Sequence, residues 1–406
     1  MFCVILPTLK KTFKMKRIFA VLLSFLSMSV AVYAQEVRTL ADIKLAPAKQ
    51  FTQTIFETLR TTLANPKIDM TLALYATMFG APNFDGVSQS DCIRIRIVEC
   101  NGKTFTFADF NASENSQLVK SLKSFCKIQK SQNVIRAIFT KKEIALPQIE
   151  KLTKPNAFFE IEADAQYLVK SGFFPLPKTL KNILLEADKI KATANLDNNK
   201  LTANILIFPQ ENSKLQKQLT SAKLGKNLVN ALPKSNFIEI ISTFDFDEKI
   251  EFSIPQNKEK NFIVKTNSSF AIVANLEKNA LTTSGVFSII ADTTTNETDI
   301  VFDNKKYYIA NSKDFLAFAT TPYNTAKILS FAQQTKADKN QAPKISITIK
   351  PDIFENKIAN ASILAQVKNK TCEINIDMPF EYLGLFLKIA IQSDFVKKSE
   401  IGGFVK

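Results

Sequence analysis

The sequence IKATANLDNNKLTANILI at residues 190–207 alternates between apolar and polar side chains on both sides of a polar turn. The apolar positions are every second residue from Ile190 to Leu196 and again from Leu201 to Ile207, and DNNK lies between them. In an extended strand, side chains two residues apart lie on the same face. The stretch therefore predicts an antiparallel β-hairpin with one apolar face.

A second stretch repeats this pattern. Residues 361–378, ASILAQVKNKTCEINIDM, alternate around a turn of the same length, KNKT. In front of each hairpin we predict a strand, a short helix and a further strand, so that 133–208 and 314–379 have the same order of elements. This order indicates an internal duplication, with a first half at 35–232 and a second half at 233–406. Because β-hairpins resemble one another, chance similarity is the alternative.

Apolar residues at helical spacing predict helices that cover these hairpins. Such segments lie at 47–63, 114–127, 141–152, 211–231 and 323–333. Neither half alternates long helices with strands in the way that a parallel, doubly wound sheet requires. We therefore predict an α+β fold with two pattern-related halves, each an antiparallel sheet of β-hairpins with covering helices.

Another hairpin is predicted earlier in the chain. The stretch IRIRI at residues 93–97 alternates isoleucine with arginine, and Asn101-Gly102 favours a tight turn. The alternation is typical of a half-buried strand. We therefore expect the isoleucines in the core and the arginines on the polar face.

The first 34 residues predict export. Basic residues at 10–17 precede an apolar run at 18–32, which ends on small residues at Val32-Tyr33-Ala34. This order is typical of a secretory signal peptide cleaved after Ala34. We expect a periplasmic or extracellular protein that is not an integral membrane protein once processed; an uncleaved anchor is the alternative, and both Met1 and Met15 stay open as the start.

Composition excludes several functions. The formal charge is +15, but lysine supplies most of it and is scattered along the chain, whereas nucleic-acid binding favours clustered arginine. We therefore predict no nucleic-acid partner. The chain has no histidine, which excludes Ser-His-Asp and Cys-His catalysis and histidine-ligated zinc. An enzyme would have to use carboxylates, lysine, serine or cysteine.

Carboxylates offer the first candidate site. Glu160, Glu162 and Asp164 alternate along one predicted strand, and paired carboxylates at such spacing can hydrolyse glycosides. A solvated strand face is the alternative. Ser124 and Lys127 match the S-x-x-K nucleophile motif, but its companion motifs are missing, so chance is the alternative.

Acidic side chains offer a candidate calcium site. Oxygen ligands suit Ca²⁺, but neither of the two acidic segments has EF-hand spacing, and polar turns are the alternative. The residues concerned are Asp245, Asp247 and Glu248 in one segment and Asp292, Asn296 and Asp299 in the other. We predict neither a metal nor a cofactor.

Four cysteines lie beyond the signal peptide, namely Cys92, Cys100, Cys126 and Cys372. In an oxidising compartment they could form disulfides. Because Cys100 ends a predicted strand and Cys126 ends the next predicted helix, we predict that these two pair. Buried free thiols are the alternative.

No motif assigns a reaction, so we predict an exported, non-catalytic cell-envelope protein that binds an apolar ligand or a protein partner. The partner would be an envelope protein or a lipid-like molecule. Ala192, Ala194 and Ala203 on the inward hairpin face motivate the apolar ligand, since small residues leave room beneath a helix. An envelope structural or assembly factor is one alternative. A histidine-independent hydrolase that uses carboxylates or a Ser/Lys pair is the other.

Overall fold

The structure is a computed structural model with two compact units. Unit 1 comprises Met1–Ala203 and Phe380–Lys406, and unit 2 comprises Asn204–Pro379. The residues that the structure describes are 37–51, 53–54, 86–100, 102–124, 126–140, 146–171, 178–197, 200–245, 250–255, 261–277, 280–289, 299–302, 305–320, 322–336, 343–350 and 359–382. The predicted signal peptide lies outside them.

Unit 1 is built on an antiparallel sheet whose order is not the order of the chain. Its strands are β1 (Arg38–Leu45), β2 (Ile93–Cys100), β3 (Lys103–Asn111), β4 (Lys127–Ser131), β5 (Val134–Ile138), β6 (Phe159–Asp164) and β7 (Ala187–Asp197). They pair in the order β4–β5–β3–β2–β1–β6–β7. The next strand, β8 (Lys200–Pro209), begins in unit 1 and continues into unit 2.

Short helices accompany this sheet. They are α1 (Gln117–Leu122), α2 (Ala165–Lys170) and α3 (Lys178–Leu185). The Ser116 hydroxyl accepts a hydrogen bond from the amide of Val119, and the Asp164 carboxylate accepts one from Tyr167, so both α1 and α2 begin at a capping side chain. Val119 and Leu122 of α1 pack on Phe110 and Ile135 of the sheet.

Unit 2 has a longer antiparallel sheet. The strands of this unit are β9 (Lys223–Leu224), β10 (Ile238–Ser242), β11 (Phe244–Asp245), β12 (Ile250–Pro255), β13 (Asn261–Glu277), β14 (Ala280–Ile289), β15 (Asp299–Phe302), β16 (Lys305–Asn311), β17 (Phe315–Ala319), β18 (Lys344–Ile349), β19 (Ala361–Lys368) and β20 (Thr371–Pro379). The order is β15–β16–β17–β14–β13–β10–β18–β19–β20, and β12 pairs with the first part of β13. Strands β9 and β11 form a separate two-stranded sheet.

The core of unit 2 lies beneath helical segments. The helices of this unit are α4 (Lys214–Ser221), α5 (Pro322–Gln334) and a 3₁₀ helix (Leu228–Ala231). Ile328 and Ala332 of α5 and Leu228 of the 3₁₀ helix pack on Val286 and Ala317. This face of the sheet is therefore apolar and is covered by α5 and the 3₁₀ helix.

The predicted α+β class is wrong. Most of the described residues lie in antiparallel strands, rather than in a mixture of strands with covering helices. Residues 146–152 of the predicted helix at 141–152 form no regular element, and the helix predicted at 211–231 is reduced to α4 and a 3₁₀ turn. Helical spacing is a weak signal in short apolar segments, because a packed irregular segment produces the same spacing.

Other helices fall where helical spacing predicts them. Helix α1 lies within 114–127, and α5 covers 323–333. Of the predicted helix at 47–63, the described residues from 48 to 54 are helical. No helix among the described residues is long and apolar enough to cross a membrane.

Candidate binding cleft

A cleft of about 850 Å³ lies at one end of the unit 1 sheet. Its walls are the segments where β1 ends, where β2 and β6 begin, and where β7 turns into β8, which meet at the same end because neighbouring strands are antiparallel. Nine of the fifteen lining residues carry polar or charged side chains: Gln50, Gln89, Ser90, Lys154, Asn156, Asn195, Asp197, Lys200 and Thr202.

One wall of the cleft is the end of the strap, which we define as residues 146–158 between β5 and β6. The amide of Cys92 donates to the carbonyl of Thr153 at 3.1 Å, and the amide of Ala46 donates to the carbonyl of Phe158 at 2.9 Å. The Asn195 side chain accepts from the amide of Phe158 at 2.9 Å. The backbone of the strap is thus hydrogen-bonded to three neighbouring segments.

The Phe158 ring completes this wall. It stacks on Phe51 with 5.1 Å between ring centroids and 13° between ring planes. The Phe158 ring itself is buried, and Pro155 and Leu196 give the otherwise polar cleft its accessible apolar surface.

Glu160 shapes the strap rather than acting in the cleft. One carboxylate oxygen accepts from the amides of Asn156 and Ala157, at 2.7 and 3.2 Å. The other lies 3.5 Å from the Lys44 ammonium group. The two amides belong to the cleft wall, so this carboxylate fixes the backbone there.

A buried charge cluster lies beneath the other end of the strap. Asp109 accepts hydrogen bonds from Arg136 at 2.6 and 2.8 Å and from Arg96 at 2.8 Å. The exposed fractions of these three residues are 0 %, 1 % and 4 %. Both guanidinium groups also lie over the Phe107 ring, at 4.3 Å for Arg136 and 5.0 Å for Arg96. Such charges are retained in a protein interior only when they are paired.

The cluster binds the strap directly. Arg136 donates to the carbonyl oxygens of Pro147 and Gln148. Arg96 donates to Glu150 at 2.8 Å, and Arg94 donates to the other oxygen of the same carboxylate. The carbonyl oxygens of an irregular segment receive no hydrogen bonds from a helix or a sheet. Where such carbonyls are buried, side chains must donate the hydrogen bonds.

The pKa values follow from these contacts. Burial acts to raise the pKa of Glu150, but the hydrogen bond from Arg94 and the charges of Arg94 and Arg96 lower it below its ordinary value overall. Hydrogen bonds to Asp42 raise the pKa of Arg94. Glu150 therefore stays ionised at neutral pH and clamps the strap.

The second wall of the cleft is also fixed by a carboxylate. Asp91 accepts hydrogen bonds from the Ser88 hydroxyl at 2.6 Å and from the Asn111 amide at 2.8 Å, which lower its pKa. The Ser88 hydroxyl also accepts from the amide of Asp91 at 3.2 Å. This local ring of hydrogen bonds orders the loop that carries Gln89 and Ser90.

The other two predicted strand carboxylates are engaged in structural contacts. Glu162 contacts Lys189 and lies 2.9 Å from Lys191, and hydrogen bonds from both lower its pKa. Asp164 caps α2 and contacts Arg38. Together with Glu160 they lie on one side of β6, as predicted, but none of the three lines the cleft.

The other predicted motifs are not brought together. Ser124 donates to the carbonyl of Ser121 at 2.8 Å at the end of α1, whereas Lys127 begins β4. Of the acidic residues, Asp245 lies in β11 and Asp299 in β15. Asp247, Glu248, Asp292 and Asn296 lie outside the described residues. No group of three or more potential metal ligands occurs in the described part of the chain.

No disulfide is formed among the four described cysteines in this structure. Cys126 directly precedes β4, and Cys100 ends β2. In the sheet, β5 and β3 lie between β4 and β2, so the two strands are three strand spacings of about 4.8 Å apart. A disulfide needs Cα atoms within about 7 Å. The predicted Cys100–Cys126 bond stays a prediction that this strand order disfavours. Burial raises the pKa of Cys126 to about 11.

Sequence reasoning missed both the cleft and the charge cluster. The arginines of IRIRI were expected on a polar face, yet Arg96 is buried because the strap covers that face. A signal was present in VIRAI at 134–138, where Arg136 interrupts an apolar strand. The amides of the cleft gave no such signal, because they come from four separate segments.

Comparisons with known proteins find no matching family model, no matching curated protein and no matching solved structure. The chemistry of the cleft and of its surroundings is therefore the guide to function.

Proposed function

We propose that the chain is an exported, non-catalytic binding protein whose cleft in unit 1 holds a polar, largely uncharged ligand of the oligosaccharide type. The observation that carries this proposal is the lining of the cleft. Side-chain amides and hydroxyls, from Gln50, Asn156 and Thr202 among others, line the cleft beside the apolar side chains of Pro155 and Leu196. Sugar rings offer hydroxyl groups at their edges and C–H groups on their faces, which match both kinds of surface.

A lipid-like ligand fits the cleft less well. Sites for apolar ligands are lined predominantly by hydrophobic side chains. Here most lining residues are polar, and Ala192, Ala194 and Ala203 of the predicted apolar pocket are not among them. The apolar ligand predicted from the sequence therefore gives way, in our proposal, to a polar one.

A hydrolase is also a poorer fit. Glycoside hydrolysis requires two carboxylates that flank the substrate. Among the described residues that line the cleft, Asp197 alone carries a carboxylate. Glu160 is occupied by backbone amides and Lys44. This arrangement favours binding without turnover.

Titration calorimetry with a panel of neutral gluco- and N-acetylglucosamine oligosaccharides tests the proposal. The double variant Gln50→Ala/Asn156→Ala removes two cleft amides, and each hydrogen bond is worth about 0.5–1.5 kcal/mol. We expect an affinity about tenfold lower or worse than that of the wild type. The matched control is Gln333→Ala/Gln334→Ala, which changes two exposed amides on α5 and should bind like the wild type.

Two outcomes would reject the oligosaccharide assignment. One is that no member of the panel binds the wild-type protein. The other is that the Gln50/Asn156 variant binds as tightly as the wild type. Co-purification of a lipid or of a protein partner, seen by native mass spectrometry, would favour the classes predicted from the sequence instead.

A further inference from the structure

Units 1 and 2 each contain a run of seven strands with the same order. In unit 1 it is β4–β5–β3–β2–β1–β6–β7, and in unit 2 it is β16–β17–β14–β13–β10–β18–β19. Every pair is antiparallel. In each run, the strand that comes first in sequence lies in the interior of the sheet, between two strands that do not follow one another in sequence. In unit 1, β1 lies between β2 and β6, and in unit 2, β10 lies between β13 and β18. Generic hairpins do not produce this shared crossover.

Hairpin turns show which residues correspond. The β2–β3 turn is closed by the pair Cys100–Lys103, and the β13–β14 turn is closed by Glu277–Ala280. Both turns have two residues between the paired positions. Matching them places each residue of β2 and β3 on one residue of β13 and β14.

Two features that were not used in this matching agree with it. β3 pairs with β5 in unit 1, and β14 pairs with β17 in unit 2. The residue pairs of these strands match Val134–Ile138 with Phe315–Ala319, which are the full bounds of β5 and β17. In the other direction, pairing through three further strands brings β7 onto β19 and Asp197 onto Lys368. These residues end the two strands, and two residues separate each of them from the next strand.

The charge cluster of unit 1 has an apolar counterpart in unit 2. The three counterpart residues are buried, with exposed fractions of 1 %, 0 % and 0 %. This arrangement of strands therefore does not itself require the charges. The matched pairs are Arg96 with Val273, Asp109 with Val286, and Arg136 with Ala317.

What differs is the connection that covers these residues. In unit 2, β17 is joined to β18 by α5, whose Ile328 and Ala332 pack on Val286 and Ala317. In unit 1, β5 is joined to β6 through the strap, whose carbonyls receive hydrogen bonds from Arg136. A helix satisfies its own carbonyls and can lie on apolar residues, whereas an irregular strap needs donors beneath it.

We infer that the two units are copies of one strand arrangement, and that Arg96, Asp109 and Arg136 are positioning residues that seat the strap in unit 1 and thereby form the cleft wall. Only the last clause rests on the proposed function. The cluster is costly: the Nε atom of Arg96 is buried without a hydrogen-bond partner among the described residues. Well-packed apolar residues can replace buried ion pairs without loss of stability, so its retention indicates a task that unit 2 does not have.

The experiment transfers the residues of unit 2 into unit 1. The triple variant Arg96→Val/Asp109→Val/Arg136→Ala should fold, with a circular dichroism spectrum close to that of the wild type. Its unfolding midpoint should fall modestly, because the carbonyls of Pro147 and Gln148 lose their donors. Amide hydrogen exchange should rise at least tenfold within residues 146–158 and stay unchanged in β6 and β18. Affinity for the oligosaccharide should fall in parallel. The control, Glu114→Ala/Lys130→Ala, removes an exposed ion pair and should leave exchange in the strap unchanged.

A second variant tests the positioning role even if the triple variant does not fold. Glu150→Ala removes the half-exposed strap carboxylate and should also raise exchange within 146–158. Unchanged exchange in the strap of both variants overturns the positioning role, and a triple variant that fails to fold overturns the claim that the charges are dispensable for folding. If exchange rises but the wild-type protein binds no oligosaccharide, the proposed function fails and the positioning role stands.

Discussion

Asp109 shows how much of the local energetics can depend on one side chain. It accepts three hydrogen bonds from two guanidinium groups, and all three residues are almost fully buried. Taken together, the paired charges are weakly stabilising at best, because their desolvation offsets their attraction. Removing one partner is different, because it leaves the others unpaired inside the protein.

Replacing Asp109 alone should therefore be far more damaging than replacing the whole cluster. We expect Asp109→Ala to lower the free energy of unfolding by about 3–5 kcal/mol. Glu114→Ala removes an exposed partner of Lys130 and should cost about 0–1 kcal/mol. Denaturant unfolding of the two variants measures both costs, and similar midpoints would contradict this account of Arg96 and Arg136.

At the scale of elements, the strap is the part of unit 1 that depends most on charge. Its carboxylate, Glu150, faces Arg94 and Arg96 on β2, and these contact Asp42 on β1 and Asp109 on β3. Arg136 on β5 holds the strap backbone nearby. The hydrogen bonds inside the strands do not change with pH, so protonation of this carboxylate should loosen the strap first.

The pKa of Glu150 gives this response its sign. A pKa that is lowered in the folded state stabilises the strap above the ordinary glutamate value of about 4.3, and this contribution is lost as the pH falls through the lowered value. We expect hydrogen exchange in 146–158, corrected for intrinsic rates, to be constant from neutral pH to about pH 5 and to rise below about pH 4. Glu150→Gln should abolish this rise in residues 146–153, the part of the strap away from the two amides that Glu160 holds.

Glu162→Gln is the matched control, because Glu162 also has a lowered pKa but contacts Lys189 and Lys191 rather than the strap. The variant should keep the rise in strap exchange at low pH. A rise that persists in Glu150→Gln would assign the response to another group.

For the whole molecule, the strand order concerns the fold, whereas the N-terminal signal concerns export, and neither depends on the other. Each unit is a sheet in which strands distant in sequence pair, for example β1 with β6 and β10 with β18. The export prediction depends only on the basic and apolar segments that end at Ala34.

N-terminal sequencing tests export directly. We expect protein recovered from the exported fraction of the producing cell to begin at Gln35, because small residues at Val32-Tyr33-Ala34 suit signal peptidase. Ala34→Arg should block cleavage and leave a longer, membrane-retained chain. Recovery of wild-type protein from membranes with an intact start at Met15 would contradict this prediction.

The strands of the hairpins could be predicted from local sequence patterns. The alternation in 190–207 and 361–378 corresponds to β7 with β8 and to β19 with β20, and Asn101-Gly102 lies between β2 and β3. These elements are local, because a period of two and a turn residue act within a few positions of each other. The balance of strand and helix was not predicted, since several segments with helical spacing did not form the long helices expected of them.

The covering of each sheet face depends on contacts between segments that are distant in sequence. The alternation in 93–97 separates isoleucine from arginine, but it does not say which face meets solvent, and the strap buries Arg96 from a distance of some fifty residues in sequence. The cleft is non-local for the same reason, since Gln50, Gln89, Asn156 and Asn195 meet only when four strand ends align. A sequence pattern records the two sides of one strand, whereas burial depends on which other segment packs against them.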